Sequence, residues 1–391
     1  MSPFARYSTT LLSCAALTIA LMRSAVAAPT AASITDPSVQ RAIVATVEKN
    51  RAIYGGRTPV PGVLVGVWDA NGASYVRGFG YADVQQKRPL TVADHFRIGS
   101  NTKTFVASVI LQLAREGKLR LDDPLSTFKL GVTIPNGAHI TVRQILDMRS
   151  GLFEAYDVPE LSAMDVTEST LFDPRQIIRW AVAQKPYFAP GTGYHYSNTG
   201  YLIAGLIIEA VTHDTLEHQI EQRLLVPFNL TQTSVPTTQA MPAPWAHGYG
   251  LDVKKQWEEV GNSTPVSLMG AAGDMISDAN DIRRWIKLFV NAKTGEPAGF
   301  SAIAQCKTFD GNLGFGLGLA CAGDDWYGYT GGLPGYNTAE YYSMKTGTTV
   351  LVWVDVQAAA PPPGVANAIF RAIAGIVDPG SHPFNTKSGK I

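Results

Sequence analysis

A serine and a lysine three residues apart, Ser100 and Lys103, stand in the run Phe96-Arg97-Ile98-Gly99-Ser100-Asn101-Thr102-Lys103-Thr104-Phe105. On a helix the two side chains project from one face. A serine hydroxyl is a weak nucleophile until a neighbouring base takes its proton. An amine one turn away can do this once burial or nearby charge lowers its pKa. A helix N-terminus also turns backbone N–H groups toward the place where an oxyanion would form. The parts needed for acyl transfer are therefore available within four residues. A second match, Ser126-Thr127-Phe128-Lys129, follows the turn signal Asp122-Asp123-Pro124 and is read as structural. Only Ser100 leads into an apolar stripe at helical spacing, Phe105, Val106, Val109, Ile110 and Leu113, which ends at Gly117 as a C-cap.

Two further clusters carry chemistry. Pro190-Gly191-Thr192-Gly193-Tyr194-His195-Tyr196-Ser197-Asn198 reads as a turn running into a helix. Tyr196 can shuttle a proton if a cation stabilises its phenolate. Asn198 can hold a lysine amine through its carbonyl and a substrate through its amide. Taken alone, both also suit ordinary helix-start positions. His195, beside aromatic residues and without an orienting carboxylate, reads as a packed residue. In Tyr329-Thr330-Gly331-Gly332-Leu333-Pro334-Gly335-Tyr336 the glycines permit close backbone approach. This stretch is either a Gly-rich loop between strands or an extended edge that pairs with a peptide-like substrate and lends an N–H to an oxyanion.

The elements that must position these residues follow from periodicity. Ser38 to Asn50 reads as a helix after Asp36-Pro37. Val63 to Trp68 and Ser74 to Gly80 read as a hairpin around Asp69-Ala70-Asn71-Gly72. From Thr104 to about Val290 the patterns are mostly helical, as in Val142 to Met148, Pro174 to Gln184, Tyr201 to Val211 and Asn280 to Val290. Three strands return at Leu313 to Leu319, Thr338 to Ser343 and Thr348 to Val356. A last helix, Val365 to Val377, follows the breaker Pro361-Pro362-Pro363. The expected architecture is α/β of the α+β type. An antiparallel sheet built from both chain ends (about 36–103 and 300–378) is flanked by the terminal helices. A large helical subdomain (about 104–299) is inserted, with a cleft between the two parts.

Composition narrows the partners. With 391 residues, 46% apolar and 16% charged, the chain suits a globular enzyme, and its zero net charge gives no basic excess for nucleic acid. Residues 1–27 read as a signal peptide, with Arg6, an apolar run from Leu11 to Met22, and Ala25-Val26-Ala27 before the cleavage point. This predicts an exported protein, periplasmic or extracellular, with a mature domain over 28–391 and no transmembrane anchor. Lipoprotein anchoring at Cys14 is disfavoured because the apolar run continues past it. Cys306 and Cys321 are either a disulfide or two free thiols in neighbouring strands. The seven histidines are scattered, with His213 and His218 five apart, so no metal site and no cofactor are expected. Asp274, in Gly270-Ala271-Ala272-Gly273-Asp274-Met275-Ile276, is read as a helix N-terminal residue rather than a cleft carboxylate.

The ordered set Ser100-x-x-Lys103, Tyr196-x-Asn198 and Tyr329-Thr330-Gly331 resembles the penicillin-recognising serine hydrolases. These comprise class C β-lactamases, D-alanyl-D-alanine carboxypeptidases, D-aminopeptidases and related esterases. The likeness runs from about Val39 to Val377 and includes Ile140-Thr141-Val142-Arg143-Gln144-Ile145-Leu146, Ser150-Gly151-Leu152 and Pro190-Gly191. It looks closest to the secreted Streptomyces-type D,D-carboxypeptidase. The resemblance implies Ser100 as acylated nucleophile, Lys103 and Tyr196 as base pair, and Asn198, Tyr329, Thr330 and Gly331 as substrate-binding residues. It also implies an oxyanion hole from the N–H groups of Ser100 and Gly332. Substrates would be peptidoglycan peptides, β-lactams, esters or amides, and a non-catalytic receptor is the alternative from another class.

The chain departs from that pattern in two places. Tyr329 stands where the family has Lys or His. The literal Lys345-Thr346-Gly347 reads instead as a hairpin turn. The strand ending Gly318-Leu319-Ala320 lacks the arginine that carboxypeptidases place next. Both changes predict weakened recognition of a substrate carboxylate with acyl chemistry intact.

Overall fold

Asp36 begins the first helix as its chemistry predicts, accepting the Ser38 N–H at 2.7 Å ahead of Pro37. A cap of this kind contributes about 1 kcal/mol. The computed structural model describes residues 32–291, 306–310, 313–323, 325–357, 364–381 and 383. The signal segment, Cys14 and the Pro361-Pro362-Pro363 breaker lie outside the described residues.

The helices are α1 (Pro37–Ile53), α2 (Thr102–Arg115), α3 (Val142–Leu146), α4 (Pro159–Ser162), α5 (Pro174–Ala183), α6 (Asn198–Thr212), α7 (Leu216–Ile220), α8 (Val266–Met269), α9 (Ala279–Val290) and α10 (Val365–Val377). The strands are β1 (Gly62–Trp68), β2 (Ser74–Asp83), β3 (Arg88–Pro89), β4 (Phe96–Arg97), β5 (Tyr249–Leu251), β6 (Trp257–Glu259), β7 (Ile276–Ser277), β8 (Lys307–Asp310), β9 (Leu313–Phe315), β10 (Ala320–Ala322), β11 (Trp326–Leu333), β12 (Tyr336–Ser343) and β13 (Thr349–Val354). Nine of them form one antiparallel sheet in the order β3-β2-β1-β13-β12-β11-β10-β9-β8. The two ends of the sequence meet where Val65 stands opposite Val352. β1 and β13 are buried along their whole length, which explains their unbroken Val/Leu/Trp runs. α1 packs on α10 and α10 on β12 and β13, while α9 also packs on that strand pair. Among the described residues, no helix is long and apolar enough to cross a membrane.

Two expectations change. Three late strands become six. Leu313 to Leu319 is not one strand: β9 takes only Leu313–Phe315, and residues 316–319 form the tight turn into β10, where Gly318 takes φ +75° and the Gly316 N–H bonds Leu319 O at 2.9 Å. The Gly-rich Tyr329 stretch is a full strand inside the sheet, paired with β12 from Trp326 to Leu333. Its low β-propensity is overridden by continuous pairing with β12 on one side. Cys306 and Cys321 are joined as a disulfide, with Cα atoms 6.3 Å apart.

Candidate active site

Ser100 lies in a 3-10 turn, Gly99–Asn101, and the α-helix proper starts at Thr102. This corrects the expectation that Ser100 opens the helix. In 3-10 geometry residues three apart eclipse, so Ser100 and Lys103 face each other more directly than on an α-helix. Gly99 holds φ +54°, a region closed to most L residues. The turn is fixed from below. Asn101 Nδ2 donates to Ile98 O and to Thr338 Oγ1, both at 3.0 Å.

Lys103 is fully buried, and its Nζ donates to Ser100 Oγ at 3.0 Å, Asn198 Oδ1 at 2.7 Å and the Ala272 carbonyl at 2.5 Å. Three acceptors match the three hydrogens of an ammonium. Burial lowers its pKa to about 7, against an opposing pull from the Glu154 carboxylate. Once neutral, the amine keeps two of these bonds and turns its lone pair toward Ser100.

Tyr196 donates to Ser100 Oγ at 2.8 Å from the other side. Desolvation pushes its phenol well above the ordinary range, with its contacts to Ser100 and Tyr329 opposing. It therefore stands as a phenol and proton donor. Burial costs the phenolate more than its neighbours return, so the resting pair is best placed with Lys103 taking protons and Tyr196 giving them.

Local chemistry places these groups. Thr141 and Gln144 form a reciprocal capping box at the start of α3. Beyond α3, Met148 and Gly151 take positive φ, and the returning chain binds the Tyr196 loop through His195 N–H to Met148 O at 3.1 Å and Gly191 N–H to Arg149 O at 2.9 Å. Ser197 then caps α6. His195 stacks on Tyr187 with ring centroids 3.6 Å apart, as a packed residue would.

Sequence reasoning missed Glu154. It is buried, and its two oxygens accept the Asn198 backbone N–H and the Asn198 Nδ2, both at 2.7 Å. Asn198 is thereby locked with Oδ1 toward Lys103, and one of its two amide hydrogens is committed. Sequence gave only a glutamate two residues past Ser150-Gly151-Leu152, and nothing local marks it as buried. Glu154→Gln should move the acid limb of the pH–rate profile below about pH 7, because it removes the charge that holds the Lys103 proton. It should also cost roughly tenfold in kcat as Asn198 loses an acceptor. A slower enzyme with an unmoved limb would assign Glu154 a packing role only.

The third motif lies alongside. β10 pairs with β11 only from Trp326 to Gly328, so Tyr329–Leu333 keep a free edge beside the Ser100 turn. An alanine-like Cβ on Gly99 would come within 3.0 Å of Gly332 N. The Ser100 and Gly332 amides are thus neighbours. Gly332 is exposed, with open space around its Cα. Gly331 is buried against the Ile98 carbonyl, so it sets this approach rather than touching a ligand. Thr330 donates to the Thr338 carbonyl at 2.7 Å and accepts from Asn367 at 3.0 Å. Its proton is committed, so toward a substrate Thr330 can only accept.

Tyr329 is 1% exposed, and its hydroxyl faces the Tyr196 phenol without hydrogen-bond alignment. Phe315 packs between the rings, 5.8 Å from Tyr329, 5.9 Å from Tyr196 and 5.6 Å from Tyr194. An aromatic wall occupies the place where the resemblance puts a Lys or His.

The other candidates lie elsewhere. Lys345-Thr346-Gly347 is the turn between β12 and β13, and Lys345 bridges Asp378 at 3.2 Å. Ser126 and Lys129 are both exposed. Asp274 does not start a helix. It lies buried between Gly270–Ala272 and β7, and the cap of α9 is Asp278. An aspartate before apolar residues imitates an N-cap, and the sheet pairing of β7 overrides that signal.

Residues 40–373 match the Beta-lactamase family profile. A stretch of 226 residues, 55% of this chain, is 31% identical to Protein flp of Staphylococcus aureus, of which the match spans 42%. The chain therefore spans under half the length of that relative. A D-stereospecific amidohydrolase from Streptomyces superposes with a TM-score of 0.74 at 26% identity, covering 85% of this chain and 97% of the other. A penicillin-binding protein from Bacillus halodurans superposes with a TM-score of 0.72 at 20% identity, covering 85% and 98%.

Proposed function

The chain belongs to the β-lactamase family, and from that premise we propose that it is a serine hydrolase cleaving amides that carry no carboxylate on the leaving side. The carrying observation is Tyr329, a buried aromatic residue where carboxylate recognition needs a cation. An unpaired carboxylate against this wall would lose hydration without recompense. Thr330, able only to accept, adds nothing for it. Likeness to the D-stereospecific amidohydrolase supports an acyl side derived from a D-amino acid.

In this reading Ser100 Oγ adds to the substrate carbonyl carbon while its proton passes to neutral Lys103. The Ser100 and Gly332 amides receive the oxyanion. The C–N bond then breaks, and the leaving nitrogen takes the Tyr196 proton, which Lys103 replaces. Water attacks the resulting ester, gives its proton to the same base, and Ser100 leaves as the alcohol. Export completes the reading, since the Cys306–Cys321 disulfide suits an oxidising compartment.

The test compares D-phenylalanine amide, its L enantiomer, a D-alanyl-D-alanine peptide and benzylpenicillin, with Ser100→Ala as control. Fastest turnover is expected on the D-amide. A higher kcat/KM on the peptide, or rapid consumption of penicillin, would reject the reading. Tyr329→His should raise the rate of penicilloyl adduct formation, followed by intact mass, by about tenfold through a charge-assisted contact to the carboxylate. An unchanged rate would mean that Tyr329 does not exclude carboxylates.

A further inference from the structure

The segment Gly270–Asp274 has two sides. Toward the acyl centre, Ala272 O receives Lys103 Nζ. Behind it, α5, α6, α7 and α8 enclose a cavity of about 340 Å³ lined by Asp274, Glu209, Glu217, Arg175, Phe172 and Leu206 among others. Asp274 is 7% exposed, and its Oδ1 is buried without a hydrogen-bond partner. An orphaned carboxylate oxygen in a low-dielectric wall is costly and calls for a donor. Arg175 does not supply it, being turned to Leu130 O, Asp173 and Glu209. Glu217 makes no ion pair among the described residues. No group of three potential ligands among the described residues is close enough to hold a metal ion. The carboxylates are instead spread around an apolar interior of Phe172, Leu206 and Leu216.

We propose that this cavity is a second binding site, separate from Ser100, for a small organic ammonium ion with an apolar body. The ammonium would donate to Asp274 Oδ1 and lie near Glu217, and the hydrocarbon would fill the Phe172–Leu206 side. The charged groups acting on Asp274 are Glu217, which opposes its ionisation, and Arg97, which favours it. Burial is the larger influence and pushes the carboxyl well above the usual carboxylate range. A bound cation favours the ionised form, so binding should be coupled to proton release and tighten as pH rises.

Calorimetric titration of the full chain with phenethylammonium chloride tests this without reading turnover, so the result stands apart from the amidase reading. Saturable one-to-one binding is expected, retained in Ser100→Ala, with a heat that varies with buffer ionisation enthalpy. Asp274→Asn and Glu217→Gln should each weaken it at least tenfold, and phenethyl alcohol should bind at least tenfold less tightly. Glu217 is only half-buried, so its variant reports binding even if Asp274→Asn misfolds. Lack of saturation, equal affinity in Glu217→Gln, equal affinity for the alcohol, or loss of binding in Ser100→Ala would each overturn the proposal.

Discussion

Lys103→Met should lower kcat/KM by about 10⁴-fold while leaving the protein folded, because it removes the base and keeps the buried volume. Nζ bonds Ser100 Oγ, Asn198 Oδ1 and Ala272 O together. Steady-state rates on the preferred amide check the first part. A loss below about tenfold would pass the base role to Tyr196. The pH dependence of unfolding checks the second. The folded amine has its pKa lowered from 10.5 to about 7, so the folded state binds the proton less tightly than the unfolded chain. Wild-type stability should therefore rise with pH across that interval, and this rise should be missing from the methionine variant.

Gly331→Ala should lower kcat by about 10²–10³-fold, the effect of misplacing one oxyanion donor. The added Cβ would lie 2.1 Å from the Ile98 carbonyl oxygen and 2.4 Å from Thr338 Oγ1. β11 must then move away from the Ser100 turn and carry the Gly332 amide with it. A stability loss of about 1–3 kcal/mol should accompany the shift. Gly332→Ala is the control, since nothing lies within 4 Å of its added Cβ. Its thermal midpoint should match wild type. Equal destabilisation of both variants would reject the close-approach argument.

What could be read from the residues alone was what local chemistry governs. Ser100 with Lys103 and Tyr196 with Asn198 stood out because helix starts leave capping residues and periodic apolar stripes. Val365–Val377 and the Asn71-Gly72 hairpin were legible for the same reason. Features decided by distant partners were not. β11 carries three glycines and forms a strand because β12 pairs along its whole length and β10 along its first part. Glu154 becomes a functional carboxylate only when the start of α6 arrives beside it. The disulfide depended on the β8–β9–β10 meander bringing Cys306, just before β8, to Cys321 in β10. Asp274 was misread because its meaning lies in the cavity behind it.

The joining of β1 to β13 also bears on when the protein becomes active. Asn101 and Thr338, which together brace the Ser100 turn, are 237 residues apart in sequence. The Gly332 amide belongs to the same late segment. A nascent chain that has emerged only as far as α9 holds Ser100, Lys103, Tyr196 and Asn198 but lacks half of its oxyanion pair. Its β1 edge also lies open, with no β13 to cover it. The Ser100 turn thus lacks its brace and the Gly332 amide until synthesis reaches the last strands, and the β1 edge stays unpaired until then. α1 packs on α10, and the segment before α1 reaches the end of α10 through Ala32 N–H to Val377 O at 2.9 Å, which suits a circular permutant that joins them by a short linker and opens elsewhere. Such a permutant would bring β13 beside β1 early in synthesis and remove the delay.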